Sequence, residues 1–225
     1  MVKFTLIFSI AFSIWFFYTC PKFISAVDTD NLQDICPTNT TRQTVFINGF
    51  PCKNPSLITA SDFKNSLLNH AGNTDHFLRS SVTIVTASEF PGLNTLGLSV
   101  ARTDLDVDGL VLPHSHPRAS EILFVSTGNV VAGFVDTQKH LFQRFLRRGD
   151  VFVVPRGMLH YSLNSGFDVA TVFSVLNSQN PGMLNIADAL FAPNDSEAME
   201  MLKKRLINLS KLEVDQVGNV TFFEF

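Results

Sequence analysis

The feature that most constrains this chain is a set of four potential metal ligands that can share one ion: His114, His116 and Glu121 in one short motif, and His160 in another. The first motif runs Gly109-Leu-Val-Leu-Pro-His114-Ser-His116-Pro-Arg-Ala-Ser-Glu121 and on to Gly128. The second runs Gly149-Asp-Val-Phe-Val-Val-Pro155-Arg-Gly157-Met-Leu-His160-Tyr-Ser-Leu-Asn164. On an extended strand His114 and His116 point to one face, because side chains alternate. Glu121 follows after a short bend, and His160 can arrive from a neighbouring strand. Three imidazoles and one carboxylate form a mixed N/O set that leaves positions open on an octahedral ion. Manganese or iron fits that set better than a structural zinc does. A lone His-x-His is more often a surface or core pair. The second motif shifts the balance, since its glycines and proline sit where sharp strand ends need them, with a third histidine just beyond.

Around these motifs the chain is a succession of short β-rich runs. Ser81–Thr86, Thr95–Val100, Glu121–Val125, Val130–Val135, His140–Leu146, Val151–Val154 and Val169–Val175 read as strands. Ser126-Thr-Gly-Asn129 between two of them predicts a hairpin with glycine at positive φ. The Arg148-Gly-Asp150 triplet reads as a tight turn opening the second motif rather than as an adhesion signal. So many short strands argue for a closed barrel or jelly roll, not a parallel sheet with crossover helices. Ser196–Ile207 predicts an amphipathic helix, with Ala198, Met201, Leu202 and Arg205 on one stripe. Ser210-Lys-Leu-Glu213 resembles a capping box, weakened by Gly218 and the β-branched residues after it.

The two motifs resemble those of germin-like proteins, within the cupin superfamily. Matching positions are Gly109, His114, His116, Glu121 and Gly128 in the first, and Gly149, Pro155, Gly157, His160 and Asn164 in the second. The likeness extends to Leu32–Cys36, Val45–Cys52, Pro91–Gly97, Ser178-Gln-Asn-Pro-Gly182 and Ile186–Phe191, and fades over the final thirty or so residues. It implies an all-β fold: a single cupin barrel over about 60–192, a disulfide-linked N-terminal arm, and a helical extension over about 193–225. It implies manganese as cofactor, held by His114, His116, Glu121 and His160. By resemblance the subunits assemble into trimers or hexamers through the terminal helices.

In the same family, oxalate oxidase activity belongs to the true germins and superoxide dismutase activity to several relatives, both releasing hydrogen peroxide. True oxalate oxidases carry asparagines that would fall at Ala101 and Val111 here, and a glutamine that would fall at Ser162. A buried dianion needs such donors. The resemblance therefore favours dismutation over oxalate oxidation. A different class stays open: an extracellular binding or structural module that the metal stabilises. Asn164 is either an outer support of the site or a turn-forming residue before Ser165-Gly166.

The N-terminus supplies the compartment. Lys3, an uncharged run from Phe4 to Tyr18 and the small residues of Ile24-Ser-Ala26 predict a secretory leader over 1–26 and a single domain over 27–225. The run is short for a membrane span. Cys20 would leave with the leader, so Cys36 and Cys52 remain as the pair for a disulfide in an oxidising compartment. Asn-x-Ser/Thr sequons stand at Asn39, Asn194, Asn208 and Asn219, with Asn39 the best placed. A net charge of -3 without a dense basic cluster offers nothing to nucleic acid, and Lys203-Lys204-Arg205 reads as a solvated helix face. Plant cell wall or apoplast is the location the resemblance implies.

Overall fold

The computed structural model describes residues 35–41 and 49–186, together with 200, 201, 204 and 207. Ten strands carry it: β1 (Ser80–Val85), β2 (Ser99–Leu105), β3 (Leu110–Ser115), β4 (Glu121–Thr127), β5 (Asn129–Val135), β6 (Leu141–Arg147), β7 (Val151–Val154), β8 (Leu159–Asn164), β9 (Ala170–Leu176) and β10 (Leu184–Asn185). They form two antiparallel five-stranded sheets, ordered β1-β2-β9-β4-β7 and β10-β3-β8-β5-β6. This is the jelly-roll barrel that the strand pattern predicts. Short 3-10 turns at Pro55–Leu57, Ala60–Phe63, Leu67–Asn69 and Pro91–Leu93 precede or interrupt it.

Alternation explains which side chains fill the barrel. On β4, Glu121, Leu123 and Val125 are buried while Ile122 and Phe124 are exposed. Leu105, Val111, Val130, Ala132, Leu146, Val154, Ala170 and Val172 join Leu123 and Val125 in one apolar core. The outer face of the first sheet keeps Ile122, Phe124, Val151, Val153 and Val175 in contact with solvent.

Two local expectations are corrected. Thr95–Leu98 is a turn and not strand: Thr95 and Gly97 both have positive φ, and β2 starts at Ser99. A long-range contact overrides the β-propensity there, because the Thr95 N–H donates to the Gln179 side-chain oxygen. The expected hairpin at Ser126–Asn129 is a corner. β4 pairs with β7 and β9, whereas β5 pairs with β6 and β8, so Gly128 passes the chain from one sheet to the other. Arg148-Gly149-Asp150 is a turn as expected: the Asp150 N–H donates to Arg147 O, and the Asp150 carboxylate accepts from Arg147 N–H.

Cys36 and Cys52 form a disulfide with Cα atoms 4.8 Å apart. Asn94, fully buried, seats that arm by bonding both the N–H and the C=O of Phe50. Most of the expected C-terminal helical extension lies outside the described residues; Glu200, Met201, Lys204 and Ile207 within it are helical. The leader, Asn194, Asn208 and Asn219 also lie outside them. Asn39 lies in a partly exposed turn, its side-chain oxygen accepting from both the N–H and the hydroxyl of Thr41.

Candidate metal centre

His114 sits near the end of β3, opposite His160 on β8, with which it pairs directly. Strict alternation from Val111 would turn His114 outward. Pro113, which has no N–H for the ladder, falls where the register shifts between Val111 and His114. That irregularity resets the alternation, so Val111 and His114 both face inward and His116 follows. The chain then turns at Pro117-Arg118 and re-enters the sheet as β4, whose first residue is Glu121.

All four side chains are buried, and their ligand atoms lie within 4.8 Å of one another. Each imidazole is oriented by a backbone carbonyl that accepts from its Nδ1–H. Leu112 O accepts from His114 at 2.9 Å, Met158 O from His160 at 2.9 Å, and Gly182 O from His116 at 2.5 Å. A carbonyl can only accept, so the proton is on Nδ1 and each Nε2 presents a lone pair. His160 Nε2 lies 3.0 Å from Glu121 Oε2, and His116 Nε2 lies 3.6 Å from the same oxygen. Proximity is not satisfaction here, since Glu121 Oε2 and His160 Nε2 are buried atoms without a hydrogen bond. Two acceptors face each other at contact distance in a buried site, an arrangement that a bound cation relieves. The donor set therefore fits a divalent metal.

Electrostatics point the same way. Burial first, then the charge of His160, pushes the His114 pKa down from 6.5 to about 4. Burial works to raise Glu121, but His160 and then His116, where their imidazoles are protonated, hold its carboxyl below the usual value. In the metal-free protein both shifts act in one direction. An unfolded chain protonates His114 below about pH 6.5, which the folded chain resists down to about 4. Glu121 contributes stability above its usual range that is lost as pH falls through its lowered pKa. The metal-free protein is thus expected to lose melting temperature steadily as pH is lowered from 6.5 towards 4. A thermal melt series across that window checks it, and a flat profile would contradict it.

Beside the four ligand atoms lies a cavity of about 20 Å³. Its walls are the apolar side chains of Val82, Ile84, Ala101, Val111 and Leu123, with Thr103 and Ser162 as the hydroxyl-bearing members. Ala101, Val111 and Ser162, singled out in the sequence, all reach this cavity. Asn164 does other work. Its side-chain N–H groups donate to Leu105 O, Asp106 O and Asp168 O, and its oxygen accepts from Gly166 N–H. Those bonds tie the β2–β3 and β8–β9 turns together. Sequence reasoning missed the carbonyl partners of the imidazoles, because a backbone oxygen leaves no mark in residue type.

Residues 66–206 match the family model described as Cupin. The chain is 56% identical over 201 residues to Germin-like protein 11-1 of Oryza sativa subsp. japonica, covering 89% of each. It is 60% identical over 171 residues to Germin-like protein subfamily 3 member 4 of Arabidopsis thaliana, covering 75% of this chain and 81% of the relative. Among solved structures, a recombinant oxalate oxidase in complex with glycolate superposes with a TM-score of 0.74 at 35% identity, over 85% of this chain and 95% of that one. Peruvianin-I, a cysteine peptidase from Thevetia peruviana latex, superposes with a TM-score of 0.66 at 39% identity, over 71% of this chain and 98% of that one. With its barrel, its buried histidines and glutamate, and these relatives, the chain belongs to the germin-like proteins of the cupin family.

Proposed function

We propose that this protein is a secreted, manganese-binding germin-like protein of the plant cell wall that dismutates superoxide, with two protons, to hydrogen peroxide and dioxygen. The observation that carries the reading is the union of three aimed Nε2 lone pairs and a carboxylate with a small, apolar-walled cavity. Manganese, when bound by His114, His116, Glu121 and His160, supplies one-electron redox chemistry at an open coordination position. The carbonyls of Leu112, Met158 and Gly182 hold the three imidazoles in the tautomer that leaves Nε2 free. Val82, Ile84, Ala101, Val111 and Leu123 keep bulk water out, and about 20 Å³ accommodates something of water size. Superoxide meets that limit.

Oxalate does not suit these walls. A dianion would lie against Ala101 and Val111 with only the hydroxyls of Thr103 and Ser162 to meet its oxygens. Its charge would go largely unsatisfied. Oxalate oxidation is accordingly excluded from the proposal, although oxalate oxidase is a structural neighbour. The peptidase activity of peruvianin-I is not carried over either, because Cys36 and Cys52 are joined in a disulfide.

Export rests on the leader pattern over 1–26, with 27–225 as the mature domain, and on a disulfide that only an oxidising compartment sustains. The exposed apolar face of Ile122, Phe124, Val151, Val153 and Val175 favours burial against further subunits, as a trimer or hexamer. Expressed in plant cells, the protein is expected in the medium, beginning at Val27 and carrying a glycan at Asn39. It should hold near-stoichiometric manganese, migrate as a trimer or hexamer, and dismutate superoxide in proportion to metal. His116→Ala is expected to lose that turnover, and oxalate is expected to yield no peroxide. Manganese without dismutation would instead favour the metal-stabilised binding module.

A further inference from the structure

The Ser178-Gln-Asn-Pro-Gly182 segment lies in the loop between β9 and β10, and metal ligation gives it no task. Its position beside one imidazole supplies the task. His114 and His160 are each oriented locally, by the carbonyl two residues upstream on the same segment of chain. His116 lies just past the end of β3 and has no such local partner. Its Nδ1–H donates to Gly182 O, 66 residues further along the chain. The aim of His116 Nε2 therefore depends on where this loop sits, which is not so for the other two histidines.

Arg118 controls that placement. Its backbone N–H donates to Pro181 O at 3.1 Å, its Nε–H to Asn180 O at 2.7 Å, and its Nη2–H to Asn180 Oδ1 at 3.0 Å. Gly182 has φ +68°, and a Cβ there would sit 2.8 Å from the Arg118 guanidinium nitrogen, so only glycine lets the two pack this closely. The contacts close a ring. The chain runs from His116 to Arg118, Arg118 grips Asn180 and Pro181, and Gly182 returns to His116. The far end of the loop is fixed as well, since Gln179 accepts from Ala87 N–H through its carbonyl and from Thr95 N–H through its side chain.

We propose that Arg118 is a positioning residue that latches the Asn180–Gly182 loop so that the Gly182 carbonyl fixes the tautomer and aim of His116. This rests on the metal-site reading for its consequence, but not for its geometry. Arginine suits the task because its planar fork meets two acceptors of one residue at once, which a lysine ammonium cannot reproduce in the same geometry.

The test compares wild type, Arg118→Ala, Arg118→Lys, His116→Ala and the His116→Ala/Arg118→Ala double variant. Manganese affinity is measured by competition with a chelator, and the histidine tautomers of the metal-free proteins are read by nitrogen-15 NMR of the imidazole rings. Arg118→Ala is expected to weaken manganese binding by about ten- to a hundredfold, the usual cost of losing a group that orients a ligand. In the His116→Ala background the same change is expected to cost nothing further, because there is no His116 left to aim. In metal-free wild type His116 carries its proton on Nδ1, and Arg118→Ala is expected to convert it to a mixture of tautomers while His114 and His160 keep theirs. Arg118→Lys, expected to lose part of the affinity, carries the comparison where the alanine variant does not fold. Unchanged affinity and tautomer in the Arg118 variants would overturn the proposal, as would an equal loss in the His116→Ala background. A wild-type protein that takes up no manganese would defeat the metal reading alone, and the metal-free tautomers would still decide the role of Arg118.

Discussion

His160→Ala is expected to lower manganese affinity by more than about a hundredfold, beyond the range that loss of an outer support costs. His160 is the ligand whose removal unbalances the site most. Its Nε2 is the imidazole nitrogen 3.0 Å from Glu121 Oε2, and its ring lies closest to that of His114, with centroids 4.0 Å apart. Without it the imidazole nitrogen within reach of Glu121 Oε2 is His116 Nε2, at 3.6 Å, and a cation shared with the carboxylate loses its nearest nitrogen donor. The loss should be visible in stability as well as in binding. Manganese at a thousand times its dissociation constant stabilises the folded state by about 4 kcal/mol. At about 2–4 °C per kcal/mol for a chain of this size, wild type should gain roughly 8–16 °C in melting temperature on loading. His160→Ala should gain almost nothing at the same manganese concentration. Melts of stripped and loaded protein side by side decide it. A variant that still gains the full increment would remove His160 from the ligand set.

The cluster of His114, His116, Glu121 and His160 was legible because residue types of this kind leave few alternatives. Histidines two apart on a strand share a face, and a third histidine in a motif rich in glycine and proline has few other reasons to be there. Barrel architecture followed from the number of short runs and the turn residues between them. Which face of β4 and β9 turns inward could not be read from residue type, since Ile122, Phe124 and Val175 are exposed while Glu121 and Ser174 are buried. Cys36 and Cys52 needed only the compartment argument.

What escaped the sequence was set by partners far along the chain. Thr95-Leu-Gly-Leu98 has the composition of a strand, yet Gln179 draws it into a turn. Pro113 was visible, but the shift of register it accompanies, which decides that Val111 and His114 face inward together, needs β8 alongside. Gly182 looks like any loop glycine until its carbonyl is found on His116. The corner at Gly128 is the sharpest case. A glycine between two apolar runs reads equally well as a hairpin or as a passage between sheets, because both need positive φ.

The corner makes a prediction that separates those readings. In a hairpin an added methyl group at Gly128 would point to solvent and cost only backbone strain. In the barrel its Cβ would lie 2.5 Å from Ala170 Cβ and 2.9 Å from Val169 O, where β9 passes beneath the corner. Ala170 is fully buried in the apolar core, so it has nowhere to go. Gly128→Ala therefore combines about 1–2 kcal/mol of left-handed strain at φ +76° with about 1–3 kcal/mol of overpacking. A total of about 2–5 kcal/mol corresponds to a fall of roughly 4–20 °C in melting temperature. Manganese affinity of the folded fraction should not change. Gly128 follows the end of β4 and Glu121 opens it, roughly 23 Å away along a strand that rises about 3.3 Å per residue. A melting temperature within about 2 °C of wild type would mean that β9 yields at this point, since that is less than 1 kcal/mol. A large fall in melting temperature with metal binding intact would confirm that stability and ligation are set at opposite ends of the same strand.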